Sequence, residues 1–199
     1  MNIILIGFKA SGKSSVGKLL AELLDFIYVD TDSLIEALFH KKDRLSLSCR
    51  EIFELKGEEY FRDLETEVLK ELNGLNNAVL STGGGAVLRE ENKILLQELG
   101  KIIFLDVPLT ALEKRIEKQN SPLFRKKVIP EIYMERYNIY LSLGERFVVD
   151  ANNTPMQTAR KIYNHIIRDI KSNENDEYDE DEDEDDENDD EYDDDGDEE

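Results

Sequence analysis

The sequence predicts a three-layer α/β protein, in which a five-stranded parallel sheet lies between two layers of helices. Short apolar runs alternate along the chain with longer segments whose apolar residues recur at helical spacing. Runs that are apolar on both faces are typical of strands in a parallel sheet that helices cover on each side. The alternation and the unbroken apolar strands therefore predict this fold class.

The elements follow one another in a regular order. Five runs are expected to be strands, at 2–6, 26–30, 78–82, 102–107 and 146–151. A helix is expected after the first strand, because apolar residues recur at helical spacing from Val16 to Leu23. Further helices are expected in pieces across 33–75, then at 109–118, 131–143 and 154–170. Pro155 suits the first turn of the last helix, where no backbone N–H is needed.

The C-terminal segment differs in composition from the rest of the chain. Residues 172–199 hold 21 of the 46 Asp and Glu residues and contain no Lys or Arg. The other 25 acidic residues match the 25 basic ones, so the net charge of −21 belongs to this tail. Such a tail cannot bury enough apolar surface to offset its conformational entropy. We expect a folded domain over 1–171 and a disordered acidic tail over 172–199.

Composition also excludes several classes of protein. No apolar run approaches 18 residues and the N-terminus lacks a signal-peptide pattern, so we expect a cytoplasmic protein without membrane contact. One cysteine, Cys49, excludes an internal disulfide. A neutral domain with an anionic tail argues against a nucleic-acid partner. A monomer is expected, and the sequence names no partner for the tail.

The segment GFKASGKS, residues 7–14, matches the phosphate-binding pattern G-x-x-x-x-G-K-[ST] at a strand-to-helix junction. Its glycines let backbone N–H groups turn toward a phosphate, and the helix N-terminus adds positive potential. Lys13 can reach the β- and γ-phosphate oxygens, and Ser14 can bind Mg²⁺. ATP or GTP binding is therefore predicted, in a P-loop NTPase fold, through Ala10, Ser11, Gly12, Lys13, Ser14 and Ser15.

Two aspartates follow the second strand, in VDTDSLIE. Asp30 and Asp32 are two residues apart, so in an extended segment they point the same way from the carboxyl end of the strand. One can hold Mg²⁺ through water while the other takes a hydroxyl group of the acceptor. The alternative is a solvated turn in which Asp32 or Ser33 caps the next helix.

Two arginines are candidates for binding a carboxylate of the acceptor. Arg62, in IFELKGEEYFRDLE, can bind a carboxylate with two parallel hydrogen bonds, but it can equally form a helix-surface ion pair with Glu58 or Glu65. Arg136 and Tyr140 share one helix face in ERYNIYLSLGE, where a surface pairing is the simpler interpretation. The sequence alone leaves both alternatives open.

Three glycines, Gly83, Gly84 and Gly85, directly follow the third predicted strand. Glycine at such a place lets backbone approach a ligand closely or donate N–H groups to it. A bulge or a tight turn is the alternative, but it rarely requires three glycines in succession. The run is thus a further candidate for the acceptor site.

In this order, the motifs resemble the shikimate kinase family over residues 1–171. The resemblance rests on GFKASGKSS, DTDSLIE, IFELKGEEYFR, STGGGAV, a proline-containing lid segment, ERYNIY and DANNTP. It implies a fold like that of the nucleoside monophosphate kinases, with a mobile lid at about 119–130. It also implies transfer of the ATP γ-phosphoryl group to the 3-hydroxyl of shikimate, on the pathway to aromatic amino acids, with Lys13 and Asp32 as catalytic residues.

The resemblance further implies how the acceptor is bound. Asp32 would hold the hydroxyl groups of shikimate, while Arg62 and Arg136 would bind its carboxylate. Gly83, Gly84 and Gly85 would lie beside the acceptor, with the backbone N–H of Gly84 facing it. A side chain at Gly84 would then occupy space that the acceptor needs.

The nucleotide end is implied in the same way. Ser14 would ligate Mg²⁺, and Asp30 would order the water shell of that ion. Arg115, Asn152 and Asn153 would border the adenine.

The chain departs from the family pattern in two places. The stretch from Asp32 to Arg62 is long, with an insertion at about 39–49. The lid has SPLF where relatives carry Arg-Pro-Leu-Leu, so Ser121 replaces an arginine that approaches the ATP phosphates. We hypothesise that Arg125 supplies this charge, with Lys118 and Lys126 as lesser candidates. The alternative is that these are solvated lid charges.

Two other functions compete with this interpretation. The first is a P-loop kinase for another small acceptor, such as gluconate, and a panel of substrates would distinguish it. The second is a non-catalytic nucleotide-binding protein that acts through its acidic tail, which the uncharged lid position at Ser121 favours. The complete P-loop and the two aspartates argue against the second.

Overall fold

The computed structural model describes residues 1–118, 129–150 and 153–179 of the 199-residue chain. Its strands are β1 (Ile3–Ile6), β2 (Ile27–Asp30), β3 (Ala78–Ser81), β4 (Lys101–Asp106) and β5 (Glu145–Val148). They form one sheet in the order β2-β3-β1-β4-β5, and every neighbouring pair is parallel. The predicted five-stranded parallel sheet is confirmed, with strand ends that shift by at most a few residues.

The helices of the described residues are α1 (Lys13–Leu24), α2 (Thr31–Asp43), α3 (Cys49–Lys56), α4 (Glu58–Glu71), α5 (Glu90–Leu99), α6 (Leu109–Lys118), α7 (Ile129–Leu143) and α8 (Pro155–Asp179). A short 3₁₀ turn at Ala86–Leu88 precedes α5. The sequence analysis missed α5. Only Asn92 and Leu96 of that helix are buried, and Ile94 is 51% exposed, so its apolar residues form no clear stripe.

The central strands explain why the sheet was predictable. All four residues of β1 are fully buried, and each such Ile or Leu side chain contributes about 1.5–3 kcal/mol to folding. The edge strands differ, because Ile27 in β2 is 55% exposed and Val148 in β5 is 59% exposed. Since β1 lies in the middle of the order, the loop after it opens at the centre of the carboxyl edge, where α/β sheets bind ligands.

The expected insertion at 39–49 lengthens α2 and forms the loop before α3. Phe39 is fully buried and its ring packs edge-to-face on Tyr60 at 6.3 Å. Asp43 accepts hydrogen bonds from Lys56 Nζ at 2.6 Å and from the Tyr60 hydroxyl at 2.8 Å. Ser48 then caps α3 in a reciprocal capping box with Glu51. The residues of the expected insertion are therefore in contact with α3 and α4.

The chain divides into two compact units, residues 1–163 and 164–199. In the second unit α8 continues to Asp179, eight residues beyond the boundary at which disorder was expected. Within it, Ser172 Oγ donates to the Asp169 carbonyl at 3.0 Å. Continuing a helix costs less than starting one, so polar residues can extend it without a buried face. The rest of the predicted tail, 180–199, lies outside the described residues.

Among residues 1–118, 129–150 and 153–179, no helix is both long enough and apolar enough to cross a membrane.

Candidate active site

The loop between β1 and α1 has a backbone that requires its glycines. Gly7 has φ +143°, and a Cβ on it would lie 2.9 Å from the Leu105 carbonyl oxygen. Gly12, the residue before α1, has φ +101°. Ala10 also has positive φ, at 65°, which costs a non-glycine residue about 1–2 kcal/mol. Such strain at a loop that opens a helix is typical of a binding site.

Arg115 of α6 braces this loop from outside. Its guanidinium donates to the carbonyl oxygens of Ala10 at 3.2 Å and Ser11 at 3.3 Å. These carbonyls belong to the strained part of the loop, so the arginine helps to hold its N–H groups in a fixed direction. Arg115 was expected to border the adenine, and it lies beside the P-loop.

Lys13 is 8% exposed and its ammonium group folds back onto its own loop. Lys13 Nζ donates to the carbonyl oxygens of Gly7 at 2.8 Å and Phe8 at 2.9 Å. Burial lowers the pKa of Lys13 to about 8, while the charges of Asp32 and Asp30 act in the opposite direction. The two carboxylates therefore do not fully offset the cost of burying the ammonium of Lys13. An anion bound beside the ammonium would offset more of that cost.

Two cavities meet at this loop. The first, of about 350 Å³, is bounded by the loop, the carboxyl end of β2 and the residues after β3. The second, of about 300 Å³, lies on the other side of the loop, where Arg115, Val149, Asn153 and Thr158 line it. Ala10, Gly12 and Ser15 line both cavities. The predicted phosphate loop thus lies between these two cavities.

Asp30 ends β2 and also caps α2. Its Oδ1 accepts from the backbone N–H of Asp32 at 3.1 Å, so Asp30, and neither Asp32 nor Ser33, is the N-cap. Its Oδ2 accepts from Ser14 Oγ at 3.2 Å and from the Tyr28 hydroxyl at 2.9 Å. The sequence analysis missed Tyr28, although its position two residues before Asp30 on one strand was a usable signal.

Asp32 faces the first cavity from the first turn of α2. It is solvent-exposed in the open cleft, but the surrounding protein still desolvates its carboxylate. This desolvation, with the nearby charge of Asp30, raises the pKa of Asp32, while Lys13 acts to lower it. A carboxylate with a raised pKa in a cleft is a stronger base than an exposed aspartate, and it is a candidate proton acceptor.

Arg62 of α4 lies against the glycine run, beside Gly85. Its Nη1 donates to Glu65 at 2.6 Å and its Nη2 to Glu58 at 3.3 Å, so both ion pairs that the sequence suggested are present. The pair with Glu65 is not a surface pair, because the side chain of Arg62 is 11% exposed and that of Glu65 is 3% exposed, whereas Glu58 is 63% exposed. The guanidinium adjoins Gly85, where an added Cβ would lie only 2.5 Å from Nη1.

Glu65 is a buried residue of the site, whereas the sequence suggested it only as a surface ion-pair partner of Arg62. Burial raises the pKa of Glu65, and the charges of Arg62 and Arg136 act to lower it. Both arginines thus act on Glu65, while Glu58, the second partner of Arg62, is 63% exposed. The signal that could have identified Glu65 was its spacing three residues from Arg62, on the buried face of α4.

Gly84 is bound by two side chains of α7. Its carbonyl oxygen accepts from the Tyr140 hydroxyl at 2.6 Å and from Arg136 Nη1 at 3.3 Å. Tyr140 is 2% exposed and its ring stacks on Phe104 at 5.1 Å. Burial raises the pKa of Tyr140 to about 12, so its hydroxyl stays protonated as a donor. A surface pairing of Arg136 with Tyr140 is therefore wrong, because both side chains hold the glycine run.

Each glycine of the run adjoins a different neighbour. A Cβ on Gly83 would lie 2.8 Å from Asp32 Oδ1, and one on Gly85 would overlap the Arg62 guanidinium. A Cβ on Gly84 would lie 3.5 Å from the Lys9 backbone nitrogen, at ordinary contact distance, and the expectation that it would occupy acceptor space stays a prediction. None of the three has positive φ, so close neighbours are the reason for glycine at Gly83 and Gly85, while Gly84 has only ordinary contacts.

Some predicted site residues lie outside the described residues. These are most of the predicted lid, with Ser121, Arg125 and Lys126, and also Asn152. Within the described part, Lys118 is the last residue of α6, and α7 already begins at Ile129, inside the predicted lid boundary. The hypothesis about the lid cation therefore stays a prediction.

Comparisons with known proteins agree with this geometry. The family model described as shikimate kinase matches residues 9–171. A shikimate kinase of Synechococcus elongatus is 38% identical over 181 residues, covering 88% of this chain and 91% of the relative. One of Persephonella marina is 40% identical over 168 residues, covering 83% and 98%. Among solved structures, a shikimate kinase from Acinetobacter baumannii in complex with shikimate has a TM-score of 0.70 at 31% identity, covering 86% of this chain and 93% of that one.

Proposed function

The chain belongs to the shikimate kinase family, and on that premise we propose that its cleft transfers the γ-phosphoryl group of ATP to the 3-hydroxyl of shikimate. One observation carries the proposal. The same cavity is lined by the P-loop lysine, by Asp32 and by the glycine run, so a phosphate site adjoins a carboxylate that can hold an alcohol. The product enters the route through chorismate to the aromatic amino acids.

The nucleotide is bound across the P-loop. The backbone N–H groups around Gly12 and the ammonium of Lys13 bind the β- and γ-phosphates, in the place where Lys13 now donates to loop carbonyls. The adenine occupies the second cavity beside Arg115 and Asn153. Asn152, for which the same role is predicted, lies outside the described residues.

Magnesium fits the oxygen atoms at the mouth of the loop. Ser14 Oγ and Asp30 Oδ2 lie 3.2 Å apart, so a hydroxyl and a carboxylate meet there, and these are the hard oxygen donors that Mg²⁺ prefers. Ser14 would bind the ion directly and Asp30 through a water of its shell. When bound, the ion neutralises charge on the phosphates.

Shikimate lies at the opposite end of the first cavity. Arg62 and Arg136, which share Glu65, keep enough positive charge to bind its carboxylate. Asp32 receives its hydroxyl groups, and Gly83 leaves the space that the Asp32 carboxylate needs. The glycine run therefore leaves room for the side chains of Asp32 and Arg62, which bind the acceptor.

The transfer step needs alignment more than covalent help. The 3-hydroxyl oxygen bonds to the γ-phosphorus while the bond from that phosphorus to the β–γ bridging oxygen breaks, and ADP leaves with that oxygen. Asp32 accepts the proton that the hydroxyl releases. Its raised pKa makes it a better acceptor than an ordinary aspartate.

The experiment that tests the proposal is ADP release by the full chain from Mg·ATP, with and without shikimate. We expect shikimate-dependent turnover on the order of 1–100 s⁻¹. Gluconate and nucleoside monophosphates serve as control acceptors. Turnover with one of these instead of shikimate, or none with any acceptor, would contradict the proposal.

The pKa of Lys13 leads to a prediction about pH. A lysine with a pKa of about 8 is charged below that pH and neutral above it, so its attraction for phosphate is lost as pH rises. We expect kcat/KM for ATP, which reports groups of the free enzyme, to fall above about pH 8, by up to about tenfold per unit. Lys13→Arg, whose guanidinium stays charged, should abolish the fall. A wild-type profile that is level to pH 9.5 would contradict the prediction.

The uncharged lid position leads to a second prediction. If Arg125 replaces the arginine that is absent at Ser121, Arg125→Ala should lower kcat, because arginines that approach the transferring group contribute about 10³–10⁵-fold. We expect a loss of at least about tenfold, since P-loop cations share the role. Lys114→Ala, which removes an exposed lysine of α6, is the matched control. An unchanged kcat in Arg125→Ala would reject Arg125 as the lid cation.

A further inference from the structure

Lys9 is a second lysine of the phosphate loop, and the proposed function has not yet given it a role. Its side chain is exposed and lines the first cavity together with Lys13, Asp32 and Gly84. Its backbone nitrogen would be 3.5 Å from a Cβ on Gly84, so the loop at Lys9 is in contact with the glycine run. The residue thus stands where the nucleotide end of the cleft meets the acceptor end.

The charge of Lys9 acts on both reacting ends. It lowers the pKa of Lys13, because two cations repel each other, and it lowers the pKa of Asp32, because a cation favours a carboxylate. Lys9, Lys13 and Asp32 line one cavity, so the ammonium of Lys9 has access to the space between the other two groups. That space is where a phosphoryl group passes from the phosphates at Lys13 to the hydroxyl at Asp32.

We propose that Lys9 binds the oxygens of the γ-phosphoryl group and stabilises their charge during transfer. The inference rests on the proposed function and names one more residue for it. Lys9 belongs to the loop itself, so its charge is present before any lid closes. A lysine suits this position because its flexible stem and compact charge can follow the group from ATP to the acceptor.

A lysine in contact with solvent alone is the simpler alternative. Three features separate Lys9 from such a residue: its place in the cavity lining, its contact with the glycine run, and its influence on two site groups. Lys18 shows the contrast, because it is also an exposed lysine near the start of the chain. It stands on α1 with its Nζ 5.7 Å from the Tyr28 ring and lines a different cavity.

The test compares Lys9→Met, Lys9→Arg and the matched control Lys18→Met in the full chain. Methionine keeps the length of the stem but removes the charge. We expect Lys9→Met to lower kcat by about 10–100-fold, a smaller loss than that of a complete arginine finger. Lys9→Arg should restore most of the rate, and Lys18→Met should stay within about twofold of wild type. Thermal melts of the three variants establish that each is folded.

A binding measurement then separates contact with the γ-phosphoryl group from a structural role. Affinities for Mg·ADP and for a non-hydrolysable Mg·ATP analogue are measured by calorimetry. We expect Lys9→Met to weaken the ATP analogue by about tenfold and ADP by less than about twofold, since ADP lacks the γ-phosphate. Equal effects on both nucleotides, or an unchanged kcat, would overturn the inference. If the wild type fails to turn over shikimate in the same assay, the proposed function fails instead.

Discussion

Asp32→Asn should lower kcat by about 10³-fold and leave KM for ATP within about threefold of wild type. Asparagine has the same shape and can still hold a hydroxyl group of the acceptor, but its amide cannot accept a proton. The change removes a base from the first turn of α2 without removing the cap of that helix, because Asp30 is the N-cap. The loss should therefore fall on the chemical step and leave nucleotide binding almost intact.

The matched control for this variant is Glu36→Gln, one turn further along α2. Glu36 also repels Asp32, but its Oε1 accepts from the Cys49 backbone N–H at 2.9 Å, a bond that glutamine can keep. We expect Glu36→Gln to retain kcat within about threefold. A single-turnover experiment shows whether phosphoryl transfer itself has slowed in Asp32→Asn. A loss below about tenfold would mean that the proton passes to another group.

Local parts of the site were predictable from the sequence, because short-range geometry determines them. The P-loop needs one strand, one turn and one helix, and its pattern specifies all three. Asp30 and Asp32 were expected in one extended segment, but β2 ends at Asp30 and Asp32 lies in the first turn of α2, with Asp30 as the N-cap. The sheet was predictable because its central strands are buried on both faces.

The features of the site that the sequence did not predict depend on contacts between segments that are distant in the chain. The Tyr140 hydroxyl reaches Gly84 across 56 residues of sequence, and no local pattern contains that pairing. The same holds for Arg62, whose ion pairs look like ordinary helix-surface pairs until the glycine run is placed against it. A charged side chain that binds a ligand is distinguished from an ordinary surface charge by its burial. The burial of Arg62 and Tyr140 depends on how the distant segments pack together in the fold.

Gly85→Ala should raise KM for shikimate by about 10–100-fold and leave KM for ATP almost unchanged, the loss expected for one charge-assisted bond. The new methyl carbon would stand 2.5 Å from Arg62 Nη1 and 2.6 Å from Nη2, so the guanidinium must move. It has little room to do so, because its side chain is 11% exposed and Glu65 holds Nη1 at 2.6 Å. The variant therefore displaces the guanidinium of Arg62, which is proposed to bind the shikimate carboxylate, without changing its chemistry.

Gly84→Ala is the control that makes this result specific. It adds the same methyl group one residue earlier, where the nearest atoms are the Lys9 nitrogen at 3.5 Å and the Gly7 carbonyl oxygen at 3.6 Å. These are ordinary contact distances, and alanine keeps the backbone N–H that is expected to face shikimate. We expect KM for shikimate in Gly84→Ala to stay within about threefold of wild type. If both alanine variants raise KM for shikimate equally, the glycine run is required because it leaves open space for the acceptor. If only Gly85→Ala raises it, the glycine run is required because it positions Arg62.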